Sequence, residues 1–213
     1  MLRFDRNDDN NDFMKQIVLA TNNPHKISEM SAIISDIDLQ ILSANDFSDF
    51  PHVEESGETL EANAILKAKS VWGQYHIPCL ADDTGLEVEY LNGAPGVISA
   101  RFAGPGCSYD DNNRKLLGLL RNVPEEQRKA RFRTVIAFID GRGSVQWVDG
   151  ILDGAIATER RGTFGFGYDP IFIVEGTGKT LAEFQPEEKN RLSHRSRALA
   201  KIRPIIIKAF KTE

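Results

Sequence analysis

Residues 78–85 read Pro78-Cys79-Leu80-Ala81-Asp82-Asp83-Thr84-Gly85. Pro78 to Ala81 predicts a short apolar strand, and it runs straight into two carboxylates, a hydroxyl and a glycine. Burying two carboxylates unpaired is costly. The pair therefore implies either an exposed turn or a site where a cation or a shared proton removes the penalty. The second reading is favoured, with one carboxylate holding metal and the other activating water. Upstream, Thr59 to Trp72 sets Leu60, Ala64, Ala68 and Val71 in one stripe and predicts a helix. Downstream, Arg131 to Ile139 and Val145 to Val148 predict a hairpin, with Asp140-Gly141 opening its turn. This order implies an α/β or α+β domain around a largely mixed sheet.

The remaining elements extend that frame. Gln16 to Ala20 is a β-branched strand, and Leu39 to Ser43 is a second candidate. Between them Thr21 to His25 turns into a helix through about Ser35, with Ile27, Met30, Ile33 and Ile34 on one face. Asp46 to Gly57 is acidic and irregular, and Asn92 to Gly106 is a long Gly- and Pro-rich loop. Asp110 to Leu120 is a helix capped by Ser108. Ile151 to Thr158 and Ile171 to Val174 are strands. A last helix runs from about His194 to Phe210 with Leu199, Ile202, Ile206 and Phe210 inward, and Pro204 is expected to kink or divide it.

Bulk properties narrow the function. The chain has 213 residues, 41% hydrophobic, with a formal net charge of -5. That suffices for one filled core. It provides no basic field for duplex nucleic acid. A small anionic nucleotide needs only a local positive pocket. No apolar run is long enough for a bilayer, and residues 1–14 read as a polar, mobile tail rather than a secretion signal, ahead of a single domain over 15–213. Cys79 and Cys107 form no metal-binding or redox pair and predict reduced thiols in a cytoplasmic protein.

Five clusters carry chemistry. Thr21-Asn22-Asn23-Pro24-His25-Lys26 joins a strand to a helix, where backbone N–H groups and Lys26 suit an anion. Glu54-Glu55 precede the helix that carries Asn63 and Lys67 on one face, and paired carboxylates suit a hard cation. Asp82-Asp83-Thr84 is the third. In the fourth, Gly162-Thr163-Phe164-Gly165-Phe166-Gly167-Tyr168-Asp169-Pro170, aromatics between glycines suit stacking on a purine. The fifth, Glu187 to Arg195, brings cations and His194 to a helix entry after an acidic start, suited to phosphate or a base edge. Each has an ordinary competitor: a polar turn, a dipole-complementing acid pair, a core aromatic or a solvated charged face. Gly176-Thr177-Gly178-Lys179-Thr180 ends like a phosphate-binding loop, but the motif's first glycine would fall at Ile173 and no good helix follows before Pro186.

Taken together, LATNNPHK, EESGETLEANAILKAK, LADDTGLEVEYLNGAPGVISARFAG, FGFGYDPIF and EEKNRLSHRSRAL resemble the inosine triphosphate pyrophosphatase family, the XTP/dITP diphosphatases, from about Gln16 to Phe210. The resemblance implies an α/β, elongated two-lobed domain around a long twisted mixed sheet with a central substrate cleft, usually a homodimer. It implies Mg²⁺-dependent hydrolysis of ITP, dITP and XTP to the monophosphate and pyrophosphate, cleansing the nucleotide pool. Asp83 would be the catalytic carboxylate, and Glu54, Glu55, Asp82 and Asp83 would hold metal. Thr21 to Lys26 and Lys67 would face the phosphates, and Thr84 would contact substrate. Phe166, Gly167, Tyr168 and Asp169 would line the base pocket, closed by Lys189, His194 and Arg195. Phe164 stands where the family usually has glycine. The rival readings are a pyrophosphatase for modified pyrimidine nucleotides and a non-catalytic nucleotide-binding module. The four carboxylates argue against the latter, since they repel a triphosphate unless metal intervenes.

Overall fold

The computed structural model describes residues 15–211; the tail read over residues 1–14 lies outside them. In chain order the elements are β1 (Gln16–Leu19), α1 (Pro24–Ile34), β2 (Gln40–Leu42), α2 (Leu60–Tyr75), β3 (Cys79–Val88), β4 (Pro95–Gly96), α3 (Tyr109–Leu119), β5 (Lys129–Ile139), β6 (Val145–Ile156), β7 (Phe172–Val174), α4 (Pro186–Leu192) and α5 (His194–Lys211), with short 3-10 turns between. Among the described residues the strands form one mixed sheet in the order β2-β1-β3-β5-β6-β7, and β4 also pairs with β3. β2, β1 and β3 run parallel, and the other pairings are antiparallel.

Local chemistry sets the boundaries. Thr59 caps α2 by accepting the Ala62 N–H at 3.1 Å, and His76 ends it in the left-handed region at φ 54°. Ser108 caps α3 in a reciprocal box with Asp111. The β5–β6 turn is closed by the Asp140 carboxylate, which accepts the N–H groups of Arg142 (3.0 Å) and Ser144 (2.8 Å).

Three apolar clusters position the site. Met30 and Ile34 of α1 pack with Leu199, Ile202, Ile206 and Phe210 of α5 on one sheet face, against Ile17, Leu19, Leu80, Ile136 and Phe138. Leu60, Ala64, Ala68 and Val71 of α2 cover the other, against Val18, Cys79, Ala81, Val135 and Ala137. The third cluster joins the far ends of β3, β5 and β6 to α3 and the segment 168–184, through Leu86, Phe132, Leu116, Leu120, Tyr168 and Phe172. Among the described residues, β3, β5 and β6 are the strands that contribute to clusters at both ends.

Three expectations need correction. The strand opened by Pro78 does not stop at Ala81: β3 carries Asp82 and Asp83 mid-strand, paired with Ile136 and Val135. The two strands expected at 145–148 and 151–158 are one, β6, held along its length by β5. Pro204 does not divide α5. It lies on the exposed side, as does Ala200, whose carbonyl loses its helical donor and can turn to water. The break instead precedes α5: Ser193 is extended (ψ 158°) and its hydroxyl accepts the Ser196 N–H at 3.1 Å. Gly176 to Lys179 forms a tight turn from β7 to Thr180, as the rejected phosphate-loop reading requires. Cys79 and Cys107 are both free thiols.

One close approach decides where α5 starts. A Cβ on Gly150 of β6 would overlap the His194 carbonyl oxygen and the Ala198 nitrogen. Only a glycine lets the first turn of α5 lie on the sheet, which sets His194 and Arg195 beside β3. Gly150→Ala is expected to destabilise the fold by at least the ~1–3 kcal/mol typical of overpacking, read as a lower urea midpoint at unchanged m-value.

Candidate active site

Successive residues of a strand point to opposite faces, and this separates the two aspartates. Asp83 shares the face of Cys79 and Ala81, under α2. Its Oδ2 accepts from Asn63 Nδ2 at 3.2 Å and its Oδ1 lies 3.3 Å from Lys67 Nζ. Asn63 and Lys67 stand one helical turn apart. Asn63 Oδ1 accepts the Gly57 N–H at 2.7 Å, and Lys67 Nζ also lies 2.9 Å from Glu55 Oε1. Asp82 shares the face of Leu80, under α1 and α5. It sits 3.0 Å from Lys26 Nζ and 3.2 Å from Arg195 Nε, and accepts from the Thr84 hydroxyl at 3.2 Å.

These environments drive the two carboxyls apart. Burial pushes Asp82 up, but Lys26, Arg195 and Lys67 more than reverse it and hold the group well below the usual carboxylate range. Burial also pushes Asp83 up, and with Glu55's charge added the opposing pull of Lys67 does not bring it back. Burial lowers Lys67, yet Asp83, Asp82 and Glu55 outweigh that and keep the ammonium charged.

The ion network continues along α4 and α5. Glu29 of α1 pairs with Arg195 and, at 2.8 Å, with Lys189. Lys189 also lies 2.7 Å from Asp169, whose Oδ2 accepts the Phe166 N–H at 2.9 Å. The Phe166 ring stacks on His25 at 4.8 Å and 12°, and Lys189 Nζ sits 4.7 Å from its centroid. His194 stacks on Phe132 at 4.5 Å. Burial, then Arg195's charge, lowers its pKa well below the usual imidazole value, and Nδ1 has no protein partner.

Both faces meet in one cleft because one edge of β3 is interrupted. β1 pairs only with Cys79 and Leu80, and β4 only with Leu86 and Glu87. Between them the edge is open, and a cavity of about 320 Å³ lies there, within the range of small-ligand sites. It borders the C-terminal end of β1, where the order of parallel strands reverses, the usual ligand position in open α/β sheets.

Thr21, Asn22, Asn23, Lys26, Glu55, Lys67, Asp83 and Thr84 line the cleft. So do Phe166, Gly167, Tyr168, Asp169, Lys189, His194 and Arg195. Pro24, His25, Glu54 and Asp82 do not border it. Pro24 and His25 project outward, and His25 backs the Phe166 ring. Glu54 is exposed, while Asp82 lies behind the wall in ion pairs with Lys26 and Arg195. The helix-start N–H groups expected to bind an anion are taken up by their own cap: Asn23 Oδ1 accepts from His25 N (3.0 Å) and Lys26 N (3.4 Å). Phe164 is exposed and outside the cleft, its N–H bonded to the Ala182 carbonyl.

The cleft also holds residues that the sequence did not single out. Phe50 to Val53, Ser99, Tyr109 and Asn112 line it. Their signal is tertiary, since they come from irregular segments and a helix start. Glu29 had a local signal: it lies one turn beyond Lys26 on the same helix face.

The Ham1 family model matches residues 17–205. The chain is 48% identical over 193 residues to a dITP/XTP pyrophosphatase of Thermoanaerobacter sp. (strain X514), covering 91% of this chain and 97% of that protein. It is 47% identical to the dITP/XTP pyrophosphatase of Porphyromonas gingivalis, covering 91% and 98%. Among solved structures, a HAM1 protein from Coxiella burnetii superposes with TM-score 0.84 at 39% identity, covering 92% of this chain and all (100%) of that one.

The opposed environments predict opposed stabilities. Asp82 has a depressed folded pKa, so its stabilisation is complete above the unfolded value, about 3.9, and is lost as pH falls through the folded one. Asp83 has a raised folded pKa, so its ionisation costs stability as pH rises through that value. At pH 7, Asp82→Asn is expected to lose about 3–5 kcal/mol, as when one partner of a buried ion pair is removed. Asp83→Asn is expected to hold or gain stability. Urea unfolding of both variants checks this, and equal losses would contradict it.

Proposed function

The chain belongs to the Ham1 family, and on that footing we propose that it hydrolyses non-standard purine nucleoside triphosphates, dITP and XTP with ITP, to the monophosphate and pyrophosphate. It is a hydrolase acting on nucleoside triphosphates. The observation that carries the reading is the division of one cleft. Asp83 stands with Lys67 and Glu55 at one end, and Phe166 with Lys189 stands at the other.

At the first end Asp83 is the group suited to water. Asn63 fixes one of its oxygens, and a carboxylate so positioned can orient water or accept its proton. Lys26 and Lys67 supply charge to the phosphates. The ion pairs join five cations (Lys26, Lys67, Arg101, Lys189, Arg195) to five carboxylates (Glu29, Glu55, Asp82, Asp83, Asp169), which leaves the network without net positive charge. A triphosphate therefore needs further positive charge.

The donor set fits Mg²⁺ at Asp83 and Glu55, whose oxygens converge on one ammonium. No cluster of three or more His, Cys, Asp or Glu able to cage a metal exists among the described residues. That suits an ion that takes one or two carboxylates and completes its shell with substrate phosphates and water. When bound, Mg²⁺ would neutralise phosphate charge. Asp82, committed to Lys26 and Arg195, and Glu54, turned to solvent, do not fit this role.

At the second end, neutral His194 offers one donor and one acceptor. Arg195 is already engaged by Glu29, Asp82 and Thr84. Phe166 supplies stacking, which favours purines without choosing among them. Cleansing the nucleotide pool, a cytoplasmic setting and a homodimeric state belong to the same proposal. No helix of the described residues is long and apolar enough to cross a membrane.

Pyrophosphate release from ITP, dITP, XTP, ATP, GTP and a pyrimidine triphosphate, each with Mg²⁺ and with chelator, is the test. The expected result is kcat/KM for ITP and XTP far above ATP, by about 10⁴ where hydrogen bonds select, and loss of turnover in chelator. GTP shares the 6-oxygen and is expected to be poor. Equal use of ATP and ITP would remove the pool-cleansing reading, and a pyrimidine preference would favour a different pyrophosphatase. In the same assay Asp83→Asn is expected to lose about 10²- to 10⁴-fold in kcat, and a folded variant within threefold of the parent would remove Asp83 from the catalytic role.

A further inference from the structure

The base-end loop is held from three sides. Asp169 accepts the Phe166 N–H at 2.9 Å, the Tyr168 hydroxyl donates to the Ser99 carbonyl at 2.9 Å, and Asn113 Nδ2 donates to the Gly167 carbonyl at 2.9 Å. The first two holds come from residues that line the cleft. Asn113 does not line it: it lies on α3, 1% exposed.

Asn113 is a poor choice for packing alone. Its Oδ1 has no partner, so half of a buried amide goes unsatisfied at a cost. Its neighbour Asn112 shows the contrast, accepting from Ala103 N and Cys107 Sγ and donating to the Ala100 carbonyl. The one bond Asn113 makes is to Gly167, where the chain is left-handed at φ 63°. A glycine there leaves the following peptide free to rotate.

That peptide has two polar groups pointing in opposite directions, because it is trans; the cis bond among the described residues is Ala94-Pro95. Asn113 draws the carbonyl toward α3. The Tyr168 N–H therefore points away from the Asn113 amide, and Gly167 and Tyr168 both border the cleft while Asn113 does not. Among the described residues it finds no acceptor. An unpaired donor facing a ligand favours one that brings an acceptor and disfavours one that brings a second donor. A 6-oxo purine brings the former, and a 6-amino purine the latter.

We propose that Asn113 is a positioning residue for base selection: by anchoring the Gly167 carbonyl it turns the Tyr168 N–H into the cleft, to meet the 6-oxygen of the base. Losing that anchor lets the peptide turn its carbonyl inward, where it would accept from adenine. The inference rests on the proposed purine pyrophosphatase reading and adds a source of its base preference outside the cleft wall.

The test is kcat and KM for ITP and for ATP in the parent, Asn113→Asp and Asn113→Leu, with Tyr168 amide exchange measured by NMR in the parent, with and without IMP. Both variants lose the donor; Asp keeps the volume, and Leu keeps the branching at Cγ with a larger volume. The expected result is an ITP-to-ATP ratio of kcat/KM that narrows about tenfold or more, carried mainly by a higher KM for ITP. A purely structural role would lower both substrates in parallel, and an unchanged ratio overturns the proposal. The Tyr168 amide is expected to exchange fast in the free protein and to slow with IMP but not with AMP. This readout decides the case if neither variant folds, and an amide already protected in the free protein overturns it. A parent that shows no ITP preference removes the functional reading instead, while the free-protein exchange still reports on the Tyr168 N–H.

Discussion

A strand sends alternate side chains to opposite faces, and Asp82 and Asp83 are consecutive residues of β3, so they cannot act as a pair. Asp82 goes to the side of α1 and α5 and is locked between Lys26 and Arg195. Asp83 goes to the side of α2, where Asn63 and Lys67 hold it less completely. One carboxylate is thereby a structural anion and the other a titrating group with a raised pKa. The two environments assign the roles, as they do wherever neighbouring acids must do different work.

The cleft depends on the same strand. β1 leaves β3 after Leu80 and β4 joins it only at Leu86, so an edge that would otherwise be covered stays open for a ligand. The unbroken β5 pairing on the other edge keeps β3 extended across the gap. Around the gap, Lys26, Arg195, Lys189 and Lys67 are all buried or nearly so and all paired. Such networks cost desolvation and are weak evidence of stability. Their value here is placement, since each cation is held in position by a carboxylate before any substrate arrives.

The sheet and helices were legible because they rest on local periodicity. The stripes of α2 and α5 and the hairpin turn at Asp140 read directly from residue spacing. The segments that carry the resemblance to the inosine triphosphate pyrophosphatase family brought most cleft residues into view, from Thr21 to Arg195. Misplaced readings share one cause. Glu54, Pro24, His25 and Asp82 sit beside cleft residues in sequence, and adjacency says nothing about which face a side chain takes. Phe50 to Val53, Tyr109 and Asn112 were invisible for the complementary reason: they reach the cleft from segments with no period to read.

The sequence by itself determined the element types, the core faces, the absence of a phosphate-binding loop at Gly176 to Thr180 and the chemistry available to the site. Propensity, capping and turn residues are short-range effects, and a linear pattern carries them. Only the tertiary structure decided that Asp82 and Asp83 are separated, that Glu29 ties Arg195 to Lys189, and that Asn113 reaches Gly167 from 54 positions away. These depend on where β1 leaves the sheet and on how closely α5 approaches Gly150. Long-range packing sets both, and no local spacing encodes them.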